Sequence, residues 1–116
     1  MKENKLLKFA QDFAVDIIDV SDQLKRIGHK QISDQIIRSG TSISANIAEG
    51  NHPQSRIDMI SKFEIALKEA NETENWLTII LKSDLLDKNN IEAIHKKLIK
   101  IKIILISSIK TLKENI

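Results

Sequence analysis

In the stretch IIRSGTSISANIAEG, residues 36–50, Arg38, Ser42, Asn46 and Glu49 recur at steps of four, four and three. That spacing puts a guanidinium, a hydroxyl, a carboxamide and a carboxylate on one stripe of a helix. Further along, Glu69 and Glu72 share a flank with Trp76. An arginine facing two carboxylates can lock the register of two packed helices as a hydrogen-bonded ion pair. It can also recognise a ligand or partner, or take part in acid–base chemistry through Arg38, Glu49 and Glu72. Register fixing is the leading expectation and catalysis the weakest.

Other reactive groups are sparse. The chain has no cysteine, which excludes disulfides, thiolate nucleophiles and thiolate metal sites. Its three histidines, His29, His52 and His95, form no His-x-x-x-His or Glu-x-x-His pair. The di-iron pattern of helical bundles needs such pairs on two helices, so the histidines are expected to be solvated and no metal or cofactor is expected. Ser39, Ser42 and Ser44 lack a nucleophile elbow, and no glycine-rich loop could cradle a phosphate.

Lysines are the remaining candidates. The net charge is only +2, but residues 91–116 hold six lysines against Glu92 and Glu114, whereas residues 61–90 carry more acids than lysines. Lys96, Lys97, Lys100, Lys110 and Lys113, with Lys2, Lys5 and Lys8 near the start, could contact a nucleic-acid backbone if an assembly repeated them around a ring. Base stacking is not expected, because the aromatics are three phenylalanines and Trp76, which should be packed. The ordinary alternative is a solvated basic face.

These residues need helices to position them. A chain of 116 residues is expected to form one domain, residues 1–116. Charges interrupt every apolar run near the N-terminus, so neither a secretory signal nor a membrane span is expected, and the cytoplasm is the expected location. The spacing predicts helix 1 from about Lys5 to Ile27, with Phe9, Phe13, Ile17, Val20, Leu24 and Ile27 inward and Asp12, Asp16, Asp19 and Asp22 on a solvated side. Helix 2 should run from about Gln31 to Glu49 on Ile32, Ile36, Gly40, Ile43 and Ile47, and Gly28 and Gly50 sit where helix-ending glycines belong. Its small residues, Ser39, Thr41, Ala45 and Ala48, should let neighbouring axes approach closely.

Helix 3 should start at Ser55, capped with Asp58, and reach about Ser83. Helix 4 should follow Asp87–Asn90, with Asn89 and Glu92 as a cap pair. Residues 99–106, IKIKIILI, alternate like a strand, but three-and-four spacing extends to either side, so the segment is predicted helical. Ile99, Ile103 and Ile106 lie off the main stripe. A helix apolar on two sides needs two partners, which suggests contacts between subunits. Short connections imply an all-α, antiparallel up-down-up-down four-helix bundle.

RSGTSISANIAEGN followed by SKFEIALKEANETENWL resembles the bacterial four-helix-bundle proteins first noticed as reading frames within intervening sequences of 23S ribosomal RNA genes. The S-x-x-x-NIAEG signature is Ser42 and Asn46 to Gly50; the second motif runs from Phe63 through Ala66–Ala70, Glu72 and Thr73 to Trp76 and Leu77. The resemblance implies a homopentamer around a central channel. It also implies kinship with the accessory variability proteins of diversity-generating retroelements, which are basic, pentameric and bind nucleic acid and a reverse transcriptase. One departure is that the first arginine after NIAEG is Arg56, beyond the turn. The resulting expectation is a non-enzymatic homo-oligomeric scaffold or adaptor whose lysines meet RNA or DNA. The alternative is a protein-interaction module whose partner is encoded nearby.

Overall fold

The computed structural model of the protein describes residues 2–115, with side chains from Lys5 onward. Four helices account for nearly all of it: α1 Lys2–Arg26, α2 Lys30–Gly50, α3 Arg56–Ser83 and α4 Lys88–Glu114. Each packs on the next, α4 closes back on α1 with the thinnest of the four contacts, and the backbones of diagonal helices stay apart among the described residues. Cross-helix pairs fix the directions. Ser21 meets Ser33 while Ile17 meets Gly40, Ser39 meets Thr73 while Gly50 meets Phe63, and Asp16 meets Lys97. The result is an antiparallel up-down-up-down bundle with extents of 47 × 21 × 20 Å.

The core is a continuous column of Ile, Leu and Phe with interleaved alanines. Phe13, Ile17, Ile36, Ile43, Phe63, Leu77, Leu98 and Ile101 are fully buried. Each such side chain contributes about 1.5–3 kcal/mol of transfer free energy. Leu6 and Ala10 extend the α1 stripe, whereas Phe9 lies on its edge and Ile27, expected inside, is half exposed beyond the helix end. Residues 99–106 are helical within α4.

Helix ends depart from expectation in instructive ways. Helix α1 begins earlier than predicted, at Lys2, and ends at Arg26; two residues on, Gly28 with a φ of 89° lets the His29 amide donate to the Leu24 carbonyl at 2.8 Å. Gly50 is no such terminator. It is the last residue of α2, and a Cβ placed there would lie 2.6 Å from Phe63 Cε1. Glycine is needed at that position for close approach of helices, not for a left-handed turn. Ser55 caps α3, accepting from the Asp58 amide at 3.0 Å, while the Asp58 carboxylate accepts from the Gln54 amide at 3.2 Å. Helix α3 ends on Asp84, in the left-handed region with φ 54°. The predicted Asn89–Glu92 cap of α4 is incorrect. Asp87 caps the helix by accepting from the Asn90 amide at 3.3 Å, and its charge suits the positive helix end.

The weak helix formers of α2 serve packing. Ser33 and Ser39 are buried and paired across helices. The Ser33 hydroxyl donates to the Ser21 carbonyl at 2.7 Å, and the Thr73 hydroxyl donates to Ser39 Oγ at 2.9 Å. Ala45, expected at a tight approach, is exposed; the tight approaches are at Gly40 and Gly50.

Candidate interaction surfaces

Antiparallel packing of α2 and α3 brings Arg38 opposite the middle of α3. Its Nη1 lies 3.5 Å from Glu69 Oε1 and its Nη2 donates to Glu72 Oε2. Trp76 Nε1 donates to the same Glu72 oxygen at 3.4 Å. The hydrogen bond from Arg38 holds the Glu72 carboxyl below its usual range, against the opposing effect of desolvation, and the same bond stabilises the charged guanidinium. Arg38 is half exposed, so this is a surface clamp over the α2–α3 seam rather than an ion pair inside the bundle.

The remaining members of the α2 stripe do not join it. Ser42 Oγ donates to the Arg38 carbonyl at 2.6 Å and Asn46 Nδ2 to the Ser42 carbonyl at 2.8 Å, so both donors turn back onto their own helix. Glu49 lies eleven residues beyond Arg38, roughly 16 Å along the axis, and pairs with Lys62 at 3.3 Å. The catalytic grouping of Arg38, Glu49 and Glu72 is therefore not assembled. The depression beside Trp76, about 480 Å³, is lined by Gln31, Ile32, Asp34 and Gln35, and its one carboxylate, Asp34, is paired with Lys30 at 2.8 Å.

The histidines are not all solvated. His95 Nε2 lies 2.9 Å from Glu74 Oε2, and Lys102 Nζ donates to Glu74 Oε1 at 2.5 Å, forming a bridge between α3 and α4. The Lys102 bond, then the His95 bond, holds the Glu74 carboxyl below its usual range. Among the described residues no cluster of His, Asp and Glu could hold a metal ion, and no helix is long and apolar enough to cross a membrane.

The lysine candidates divide. Lys97 is paired with Asp16 at 2.7 Å, which also takes Asp16 out of the solvated acidic side, and Lys113 is paired with Glu64 at 2.8 Å. Lys5, Lys8, Lys96, Lys100 and Lys110 are exposed and have no carboxylate partner among the described residues. The side chain of Lys2 lies outside the described residues. Lys5 and Lys100 flank a groove of about 530 Å³ between α1 and α4, lined by Leu6, Phe9, Ile103 and Ile104. Ile103 is 61% and Ile106 52% exposed, while Ile99 is half-buried. Sequence reasoning passed over Val15 and Ile18, which are exposed on the outer side of α1 at 65% and 46%. Their spacing of three, opposite the Phe13–Ile17 stripe, was the available signal.

Residues 2–107 match the family described as 23S rRNA-intervening sequence protein. Among solved structures, the chain is similar to a protein with unknown function from the S23 ribosomal protein family of Bacteroides thetaiotaomicron VPI-5482. The two share 42% identity and superpose with a TM-score of 0.86, over 95% of this chain and 99% of that one. No curated protein matches.

Proposed function

The chain belongs to the 23S rRNA-intervening sequence protein family, and from that premise we propose that it is a non-enzymatic, cytoplasmic helical scaffold that assembles with copies of itself. The observation that carries this reading is the outer surface of α4. Ile103, Ile104 and Ile106 are exposed there, Ile103 and Ile104 bordering the Phe9 groove and Ile106 a depression beside Leu67 of α3, although the core is already complete without them. Adjoining exposed isoleucines at helical spacing mark a surface meant to be covered. Kinship with the retroelement accessory proteins implies five copies, and we adopt that number. As an adaptor, such an assembly would present the Arg38–Glu72–Trp76 surface repeatedly to a protein partner encoded nearby. The chemistry of the polar cluster supports the non-enzymatic part: its carboxylates are engaged by Arg38, and the Ser42 hydroxyl faces its own backbone.

Ile103→Glu combined with Ile106→Glu tests this. Light scattering should give a multiple of 13.2 kDa for the unmodified chain and 13.2 kDa for the variant, with helical content unchanged. A variant that keeps the unmodified protein's mass would overturn the role given to α4.

A second reading has one observation in its favour: the five exposed lysines that have no carboxylate partner among the described residues. Repeated around a ring, they would contact phosphate backbones without reading bases. Retention on heparin or RNA at low salt, lost at moderate salt, is the expected behaviour. Absence of retention at low salt removes this reading.

A further inference from the structure

We propose that the assembly is head-to-tail, with the acidic outer face of α1 in one copy seated antiparallel on the basic outer face of α4 in the next. This rests on the self-assembly reading above and identifies its contact. Between Lys8 and Lys25, α1 carries four aspartates and no cation; between Glu92 and Glu114, α4 carries six lysines and no acid. Among the described residues only Asp16 and Lys97 form an ion pair across these two helices. Asp12, Asp19 and Asp22 on α1 and Lys96, Lys100 and Lys110 on α4 are left exposed with no ion-pair partner among the described residues. Each face also carries two exposed apolar residues three apart, Val15 and Ile18 against Ile103 and Ile106.

One antiparallel register pairs the apolar residues and brings two aspartates near two lysines. With Val15 opposite Ile106 and Ile18 opposite Ile103, Asp12 falls level with Ile109, next to Lys110, and Asp22 level with Ile99, next to Lys100; each offset is one residue, about 1.5 Å along the axis, which a lysine side chain spans. Packing α4 against a second α4 would instead set lysines against lysines, so a two-fold contact is disfavoured. A contact between two different faces generates rings or filaments. The isoleucines between the lysines also favour protein over nucleic acid as the occupant, because a phosphate backbone gains nothing from them.

The cysteine-free chain allows a direct test. In the V15C/I106C variant, mild oxidation should give a ladder at multiples of 13.2 kDa on denaturing gels, collapsed by reductant. An intrachain bond cannot imitate this. Asp16 lies opposite Lys97, so Ile106 is level with residue 7, about 12 Å along the axis from Val15, beyond the roughly 4.4–6.8 Å that a disulfide spans between Cα atoms. K100E/K110E should lose assembly, and D12K/D22K/K100E/K110E should regain it. A covalent dimer from I106C alone would show a two-fold contact and overturn the proposal. No ladder from a chain that still scatters as several copies would overturn this contact and leave self-assembly standing; a single-chain mass would overturn both. No ladder, together with RNA retention abolished by K100E/K110E, would give these lysines to a phosphate backbone and overturn the proposal as well.

Discussion

Gly40 and Ile17 meet so closely that a β-carbon on Gly40 would stand 2.7 Å from Ile17 Cγ2 and 3.2 Å from its Cβ. This contact sets how near α1 and α2 lie, and it accounts for a glycine in the middle of a core helix. Alanine at position 40 would gain roughly 1 kcal/mol of helix propensity but would press on a branched side chain with no free end to swing aside. Overpacking of this kind costs about 1–3 kcal/mol. Gly40→Ala is expected to destabilise the bundle in urea unfolding, and Ile17→Ala in the same chain should relieve the added strain. A cycle showing simple additivity would contradict the contact.

Glu74 joins α3 to α4 through Lys102 and His95. Its carboxyl titrates below the ordinary value of 4.5 in the folded protein. A carboxyl lowered on folding stabilises fully above its unfolded pKa and loses that contribution as pH falls through the folded value. Stability should therefore decline as the pH drops below about 4.5, and Glu74→Gln should flatten part of that decline. At neutral pH the variant should be weaker by on the order of 1 kcal/mol. Urea midpoints across a pH series provide the check, and parallel curves for the two proteins would contradict the bridge.

Ser21 and Ser33 share a buried hydroxyl pair, with the two Oγ atoms 2.6 Å apart. Removing either hydroxyl loses the same Oγ–Oγ bond, at a cost of about 1 kcal/mol, while the remaining hydroxyl keeps a backbone carbonyl within reach, Ser21 O for Ser33 and Ser33 O for Ser21. S21A/S33A should thus cost less than the sum of the single variants in thermal or urea unfolding. Ser33→Val should cost more than Ser33→Ala, because it adds volume to a closed site.

The Arg38 clamp is half exposed, so its contribution to stability should be small, roughly 0.2–1 kcal/mol. Its removal should nevertheless register at Trp76, since Glu72 accepts from both side chains. Arg38→Ala is expected to shift the Trp76 emission while changing stability by less than about 1 kcal/mol. Arg38→Lys should restore little, because one ammonium lacks the fork that reaches two carboxylates. An unchanged emission spectrum would count against the shared geometry.

The bundle could be read from the chain because its information is periodic. Three-and-four spacing of Ile, Leu and Phe defines four helices, and Gly28 and the Ser55 cap mark real boundaries. What periodicity does not carry is which small residue serves space and which serves backbone conformation. Gly50 reads as a helix stop but lies against Phe63, and the left-handed stop of α3 falls on Asp84 rather than on a glycine. Arg38 could be assigned to Glu69 and Glu72 because antiparallel connectivity fixes approximate levels. Glu49 could not be excluded from that cluster, since distance along a helix separates groups that a stripe on paper joins. The ion pairs of Lys97 and Lys113 were equally hidden, because their partners lie on other helices.

Self-assembly requires copies of the chain to cover the isoleucines of α4. The molar mass of the unmodified protein, followed by light scattering over a dilution series at physiological salt, measures this directly. The prediction is a discrete assembly, five times 13.2 kDa, that persists on dilution. A compact species of 13.2 kDa at every concentration would contradict it.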